Sequence, residues 1–260
     1  MLKNSALIGF TGFVGSTLLK QTSFEHLYRS TNIDEIRNNI FDTVVCAGAP
    51  AQKWLANKDP KNDKAILDNL IDQLSTIKCK KFILISTVDV FSTPNEVDEN
   101  SPIIENGLHA YGLHRRQLEK FVIKNFDDYL IIRLPGLVGP GLKKNVIFDF
   151  LNNNNIDAIE SRGIFQFYPM VNLWSDIQIA IKANLKIVHL TSEPIVVSDI
   201  AEEGFGLSFK NEIHKTTAKY NMKTCYSKLY SGIKGYQYSK KETLIAIRAY
   251  AQSEAKKVVG

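Results

Sequence analysis

Apolar and polar residues alternate in blocks along the chain. Short runs rich in apolar and β-branched residues predict strands, and the longer stretches between them have the apolar spacing of helices. The predicted strands lie at residues 6–10, 26–28, 43–47, 82–87, 129–134 and 187–190. The predicted helices lie at residues 16–21, 65–77, 111–124, 146–151, 173–186 and 242–256.

This alternation of strands and helices predicts an α/β fold with a doubly wound parallel sheet. The strand runs are apolar throughout, as in strands that helices cover on both faces. The pattern loosens after the breaker Gly139-Pro140-Gly141. We therefore expect a sheet domain over residues 1–154. We expect residues 155–260 to complete the sheet in part and to form a small C-terminal substrate lobe in part.

Composition narrows the class of protein. The chain has 260 residues, of which 44% are hydrophobic, and no apolar run reaches the roughly 20 residues of a membrane helix. A cytoplasmic protein without a membrane partner is expected. The net charge is +5 with Lys and Arg scattered among acids, which favours small anionic ligands over nucleic acid. Cys46, Cys79 and Cys225 have neither disulfide nor zinc spacing, so no metal site is predicted.

The first predicted strand runs into the sequence GFTGFVG, with glycines at 9, 12 and 15, and a predicted helix follows. Glycines there can let backbone N–H groups approach a phosphate, and the positive end of the helix dipole favours an anion. A plain tight turn is the alternative, but the position between strand and helix favours a dinucleotide. The residues expected to contact it are Gly9, Thr11, Gly12, Phe13, Val14 and Gly15.

The second predicted strand ends in Arg29 and Ser30. A site for NAD places Asp or Glu at this point for the ribose 2′-hydroxyl, whereas Arg accommodates the 2′-phosphate of NADP. No acid is present here, so NADP is preferred over NAD as the cofactor. Arg29 as an ordinary solvated residue is the alternative.

Tyr111 and Arg115 are four residues apart and share one face of a predicted helix. A phenol has an ordinary pKa of about 10, and a cation within about 4–6 Å lowers it toward the range of a useful base. Thr87 ends the strand 82–87 and offers a hydroxyl at the edge where ligands bind. A buried tyrosine beside a surface arginine is the alternative interpretation of the pair.

With these motifs in this order, the chain resembles the extended short-chain dehydrogenase/reductase family, the NAD-dependent epimerases and dehydratases of nucleotide sugars. The resemblance covers approximately residues 2–151. The segments that carry it are the glycine loop, Cys46-Ala47-Gly48-Ala49-Pro50, Thr87, Tyr111 with Arg115 in place of the family's YxxxK lysine, and Arg133-Leu134-Pro135-Gly136 through Gly141.

The resemblance implies a Rossmann-type fold in which residues 1–154 bind NAD(P). It implies that Ala47, Gly48 and Ala49 pass the adenosine part of the cofactor and that Pro135 lies near the nicotinamide. The implied catalytic residues are Thr87, Tyr111 and Arg115. In the family the lysine lowers the tyrosine pKa and binds the nicotinamide ribose. Arginine keeps the charge, but it is larger and planar.

The implied reaction is reduction or epimerisation of a nucleotide-linked sugar. Dehydratases of the family carry Thr-Asp-Glu where this chain has Thr87-Val88-Asp89, and Val88 cannot move a proton. Asp89 is a candidate substrate contact, or a loop acid that caps a turn. The candidates for the substrate diphosphate are Lys143, Lys144 and Asn145, with a plain surface as the alternative.

The expected partner is therefore a small-molecule nucleotide sugar, and the helices at 65–77 and 111–124 permit a homodimer. The alternative function is a catalytically silent dinucleotide-binding sensor or scaffold of the same fold, for which Arg115 would be a sign of relaxed catalytic demand. A methyltransferase is a remoter third hypothesis, because the acid expected after the second strand is absent and Tyr111 would stay unexplained.

Overall fold

The computed structural model describes residues 3–213 and 215–256. The strands are β1 (Ser5–Ile8), β2 (His26–Tyr28), β3 (Ile40–Cys46), β4 (Lys78–Thr87), β5 (Asn95–Val97), β6 (Tyr129–Leu134), β7 (Gly136–Val138), β8 (Ile164–Phe165), β9 (Phe167–Pro169), β10 (Ile187–His189), β11 (Ile195–Val196) and β12 (Asn221–Met222). The helices are α1 (Phe13–Gln21), α2 (Lys53–Lys58), α3 (Pro60–Leu74), α4 (Ala110–Asn125), α5 (Val146–Asn152), α6 (Leu173–Lys182), α7 (Val197–Asp199) and α8 (Lys240–Ser253).

The central sheet has six strands in the order β10-β6-β4-β3-β1-β2. β1 pairs in parallel with β2 and β3, and β3 pairs in parallel with β4. In the register, Ile8 lies opposite both Tyr28 and Cys46, so these strands end together at one edge of the sheet. The predicted α/β fold with a parallel sheet is confirmed.

Both faces of this sheet are covered. Alternate strand residues such as Ile8 and Val44 join one buried cluster with Leu67 of α3 and Leu118 of α4. The residues between them on the strands, such as Leu7, point to the other face and are also fully buried. Two covered faces explain why the strand sequences are apolar without alternation.

Some element bounds differ from the prediction. β4 begins at Lys78, four residues before the predicted start, because the prediction followed the apolar run and left out the lysines that precede it. α3 begins at Pro60, where the proline occupies the first helical turn and the Asp59 side chain accepts a hydrogen bond from Asn62 N–H at 3.1 Å. The short helix α2 is not in the sequence prediction, since six residues give no readable period.

The described chain forms two compact units that alternate along the sequence. The first consists of residues 3–92, 101–133 and 173–188 and contains most of the six-stranded sheet. The division of the chain into domains at residue 154 stays a prediction.

The second unit consists, within the described residues, of 93–100, 134–172 and 189–256 without 214. It holds three two-stranded pairs, β5 with β12, β7 with β9, and β8 with β11. At its centre the buried Gln166 amide donates to Thr191 Oγ1 at 2.7 Å and accepts from Met222 N–H at 2.6 Å.

None of the helices in residues 3–213 and 215–256 is both long enough and apolar enough to span a membrane.

Candidate functional site

The glycine loop connects β1 to α1 at the carboxyl edge of the sheet. Gly9 has a φ of +82° and donates its N–H to Tyr28 O at 2.7 Å, while Gly12 N–H donates to Gly9 O at 3.0 Å. Gly12 caps α1 without a side-chain acceptor, and the first turn of the helix holds no acid. The first N–H groups of a helix have no acceptor inside it, so this end can receive an anion.

At two of the three glycines the neighbouring backbone leaves no room for a side chain. A Cβ on Gly9 would meet the Ala47 carbonyl group, with 2.6 Å to its carbon, and a Cβ on Gly15 would lie 2.7 Å from Phe10 Cα. A Cβ on Gly12 would have 3.3 Å to Gly9 O. The loop therefore has the tight backbone approach that a pyrophosphate cradle needs. Thr11 is exposed, and Phe13 and Val14 are half-buried at the helix start.

Replacing Gly15 with alanine tests this packing. Because backbone must move to admit the Cβ, we expect Gly15→Ala to lower the free energy of unfolding by about 1–3 kcal/mol, measured by urea denaturation. Gly12→Ala is the matched control and should cost less, since its Cβ has more room. An equal loss in both variants would contradict the close approach of Gly15.

Arg29 and Ser30 follow β2, directly after the residue whose carbonyl accepts the Gly9 N–H. Both are exposed, and the Arg29 guanidinium donates through Nε to Thr31 Oγ1 at 2.9 Å. The end of β2 thus brings a cation beside the glycine loop, as the sequence predicts for a 2′-phosphate. Its role in cofactor choice stays a prediction.

The loop after β3 runs between the glycine loop and the Tyr111 region within the first unit. Ala47 N–H donates to Ile8 O at 2.9 Å, and a Cβ on Gly48 would lie 2.9 Å from the Ile8 side chain. At the other end of the loop, Pro50 O accepts a hydrogen bond of 2.5 Å from Arg115. The small residues Ala47, Gly48 and Ala49 therefore line the edge between the two predicted halves of a dinucleotide site.

Tyr111 lies in the first turn of α4 and is 9% exposed. The guanidinium carbon of Arg115 lies 4.0 Å from the centre of its ring, which confirms that the two side chains share a helix face. Burial raises the pKa of Tyr111, and the charge of Arg115 lowers it by less. The net direction is upward, so in the protein alone the cation does not achieve the lowered pKa that the sequence predicts.

Arg115 is itself buried and held on several sides. Its two terminal nitrogens donate to Asp63 of α3 at 2.5 and 2.9 Å, to Pro50 O, and to Tyr111 O at 3.3 Å. The ring of His114 contacts the same Asp63 carboxylate at 2.7 Å. Burial raises the pKa of Asp63, but hydrogen bonds from Arg115 and His114 outweigh burial and hold it below its ordinary value. A ribose would have to compete with these acceptors for Arg115.

Thr87 ends β4, and its hydroxyl is a hydrogen-bonding partner of the Tyr111 side chain. Its Oγ1 also accepts a hydrogen bond from Asp89 N–H at 3.1 Å, at the start of the 3₁₀ turn Val88–Val90. The Asp89 carboxylate forms an ion pair of 2.8 Å with Lys53 of α2. Thr87, Tyr111 and Asp89 are thus brought together, as the sequence predicts, and Lys53 joins them.

Sequence reasoning missed three residues that build this site. Lys53 lies in the unpredicted α2. Gly112 allows α4 to approach β4, because a Cβ there would run into Asp89 O. Asp63 pairs with a residue 52 positions away. A signal for Asp63 exists in the sequence, since it lies one helical turn before Leu67 on the face that also buries Leu70 and Leu74.

The other predicted contacts lie in the second unit. Pro135 is half-buried between β6 and β7, and Lys143 and Lys144 are exposed. Asn145 caps α5: its Oδ1 accepts from Ile147 N–H at 3.0 Å, and its Nδ2 donates to Leu137 O at 2.9 Å. Their roles toward cofactor or substrate stay predictions, and the structure gives Asn145 a capping role as well.

Neither a protein-family model nor a curated protein matches the sequence. Solved structures do match. A dTDP-4-dehydrorhamnose reductase from Clostridium acetobutylicum aligns over 95% of this chain and 98% of its own, with 16% identity and a TM-score of 0.71. This chain therefore shares the fold of that reductase. The resemblance seen in the sequence motifs is confirmed at the level of fold.

Two further solved structures share this fold. A UDP-N-acetylglucosamine 4-epimerase from Methanobrevibacter ruminantium covers 96% of this chain and 97% of its own, with 13% identity and a TM-score of 0.72. The protein RMD from Pseudomonas aeruginosa, solved with NADPH, aligns over 97% of this chain and 100% of its own, with 16% identity and a TM-score of 0.69.

Proposed function

We propose that this protein is an NAD(P)-dependent oxidoreductase that reduces or epimerises a nucleotide-linked sugar, with NADP preferred over NAD. The observation that carries the proposal is the presence, in one unit, of a glycine cradle at the start of α1 and of Tyr111 with Thr87 and Arg115 beside it. The fold shared with a reductase, an epimerase and an NADPH complex supports it.

The cradle of the first unit would hold the cofactor. The start of α1 would bind its pyrophosphate, Arg29 and Ser30 the 2′-phosphate, and the loop of residues 47–49 its adenosine part. Bound NADP would supply the hydride donor and acceptor. The tight backbone at Gly9 and Gly15 and the absence of an acid in the first turn of α1 fit such a group.

Tyr111 would transfer the proton. In reduction its phenol donates a proton to the sugar carbonyl oxygen, and in oxidation the phenolate takes it back. Thr87 would hydrogen-bond the same oxygen, and Arg115 would hold the ring of Tyr111 in position. Val88 is 3% exposed and cannot exchange a proton, which favours reduction or epimerisation over loss of water.

A panel of nucleotide-linked keto sugars and hexoses, each incubated with NADPH or NADH, tests the proposed activity. Oxidation of NADPH by one keto sugar, or interconversion of two epimers, is the expected result. Saturable NADPH binding with no turnover across the panel would instead support the silent sensor or scaffold.

The preference for NADP gives a prediction at Arg29. A charge-assisted hydrogen bond to a phosphate contributes about 1.5–3 kcal/mol, so Arg29→Gln should weaken NADPH binding by roughly tenfold or more. Calorimetric titration with both cofactors checks this, and NADH is the internal control because it lacks the 2′-phosphate. Equal losses for the two cofactors would remove Arg29 from cofactor selection.

A further inference from the structure

The first turn of α4 carries Tyr111 and is held by side chains from two elements. Asn57 of α2 accepts the Tyr111 N–H through its Oδ1 at 3.0 Å. His109, the N-cap of α4, accepts the Gly112 N–H at its Nδ1, also at 3.0 Å. The first N–H groups of a helix have no acceptor inside the helix. The backbone that presents Tyr111 therefore depends on two side-chain acceptors.

The glycine in this turn makes the cap more important. Glycine is a poor helix former, and Gly112 has no larger substitute, because a Cβ there would run into Asp89 O. The His109 ring closes another side of the same position, since its Cε1 lies 3.2 Å from where that Cβ would be. The turn therefore combines a weak intrinsic propensity with a side-chain cap that offsets it.

Histidine is an unusual residue for this position. Asn, Asp, Ser and Thr are the preferred N-caps, and their side-chain oxygens accept a hydrogen bond throughout the neutral pH range. An imidazole accepts at Nδ1 only when that nitrogen carries no proton, so the bond with Gly112 requires a neutral ring with its proton on Nε2. The imidazolium has an N–H group at both nitrogens, and a positive charge is unfavourable at a helix N-terminus. Protonation of His109 therefore removes the acceptor of the Gly112 N–H.

We propose that His109 is a positioning residue, whose hydrogen bond with Gly112 holds Tyr111 in place only while the imidazole is neutral. Loss of the cap loosens the first turn of α4 and displaces the Tyr111 ring from the Arg115 guanidinium, which lies 4.0 Å from the ring centre. The proposal rests on Tyr111 as the proton-transferring group of the proposed function. It predicts that turnover declines in acid as His109 takes up a proton.

The charged and titratable groups that face His109 come from three elements. Lys53 of α2 and Arg115 of α4 disfavour the imidazolium, whereas Asp89 in the turn after β4 favours it. The Tyr111 ring, 6.3 Å away between centres, is uncharged in this pH range. Burial, followed by the Lys53 charge, lowers the pKa of His109 from its ordinary value of about 6.5. The cap is therefore present at neutral pH and is lost as the pH falls through the folded pKa.

NMR spectroscopy of the full chain tests the proposal without substrate or cofactor. The imidazole ¹⁵N resonances of His109 report its protonation, and the protection of the Gly112 amide against hydrogen exchange reports the cap. The nuclear Overhauser contact between the Tyr111 ring and the Arg115 side chain reports the position of the phenol. In the wild type the protection of Gly112 should fall by roughly fivefold or more in acid, the factor typical of a lost N-cap. The Overhauser contact should weaken with the midpoint of the His109 titration.

Two substitutions separate the cap from the titration. His109→Asn keeps an N-cap that does not titrate, and His109→Ala removes the cap at every pH. The Asn variant should keep the protection of Gly112 and the contact of Tyr111 with Arg115 throughout the titration. The Ala variant should already lack both at pH 7, where no acid is needed to reveal the effect.

His26→Asn is the matched control, because His26 is an exposed histidine on β2, and it should leave the pH dependence of the wild type unchanged. The proposal is overturned if His109→Ala keeps the wild-type protection and contact at pH 7, or if His109→Asn loses them with the wild-type midpoint. These measurements need no turnover, so a protein that fails on the nucleotide-sugar panel still decides them. In an active protein, the decline of kcat in acid should be absent from His109→Asn.

Discussion

Tyr111→Phe should lower kcat of the proposed reaction by a hundredfold or more, since the variant loses the only group placed to exchange a proton with the sugar oxygen in the proposed mechanism. The removed atom is one hydroxyl oxygen, and the ring keeps its contact with Arg115. Single-turnover measurement with the substrate from the panel gives the chemical step directly. Binding of NADPH should stay close to that of the wild type.

Tyr129→Phe is the control for that experiment. Tyr129 lies in β6, where its ring lies 5.0 Å from the ammonium of Lys186, and it has no place in the proposed chemistry. Its loss of a phenol oxygen should leave kcat unchanged. A Tyr111→Phe variant that turns over within about threefold of wild type would show that another group transfers the proton.

Asp63→Ala should lower the free energy of unfolding by about 3–5 kcal/mol, since it leaves the buried guanidinium of Arg115 without its carboxylate. His114 loses its contact with the same carboxylate. Asp68→Ala on the same helix is the control. Its ion pair with Lys64 is half-exposed on both sides and should contribute about 0.5 kcal/mol or less. Urea denaturation at pH 7 compares the two, and similar losses would contradict the structural role of Asp63.

The pKa of Asp63 also predicts how the difference in stability between wild type and Asp63→Ala depends on pH. The pKa of Asp63 is lower in the folded protein than its ordinary value of about 3.9. The folded state therefore favours the ionised form, and the resulting stability is present above pH 4 and lost as the pH falls through the folded pKa. The gap in stability between wild type and Asp63→Ala should shrink in acid.

The sequence predicted those features in which the local backbone or the burial of a segment requires one residue type. Apolar strands and amphipathic helices predicted the sheet because burial on two faces needs them. The glycines at 9 and 15 could be assigned because the turn between β1 and α1 leaves no room for a Cβ. The pairing of Tyr111 with Arg115 followed from helical spacing alone.

The electrostatic details could not be predicted in the same way. The network at Arg115 depends on Asp63, which is 52 residues distant, and the ion pair of Lys53 with Asp89 spans 36 residues. Local patterns do not report such contacts. The pKa of Tyr111 depends on how far burial outweighs the nearby cations, and burial follows from the packing of α4 against its neighbours.

Calorimetric titration of the wild-type protein with NADPH tests the central claim, that the loop from Gly9 to Gly15 is a dinucleotide cradle. Saturable binding at one site, weakened when Gly12 is replaced by a bulkier Val at the mouth of the cradle, is the expected result. The absence of saturable binding of both NADPH and NADH up to millimolar concentration would contradict the claim, and with it the proposed function.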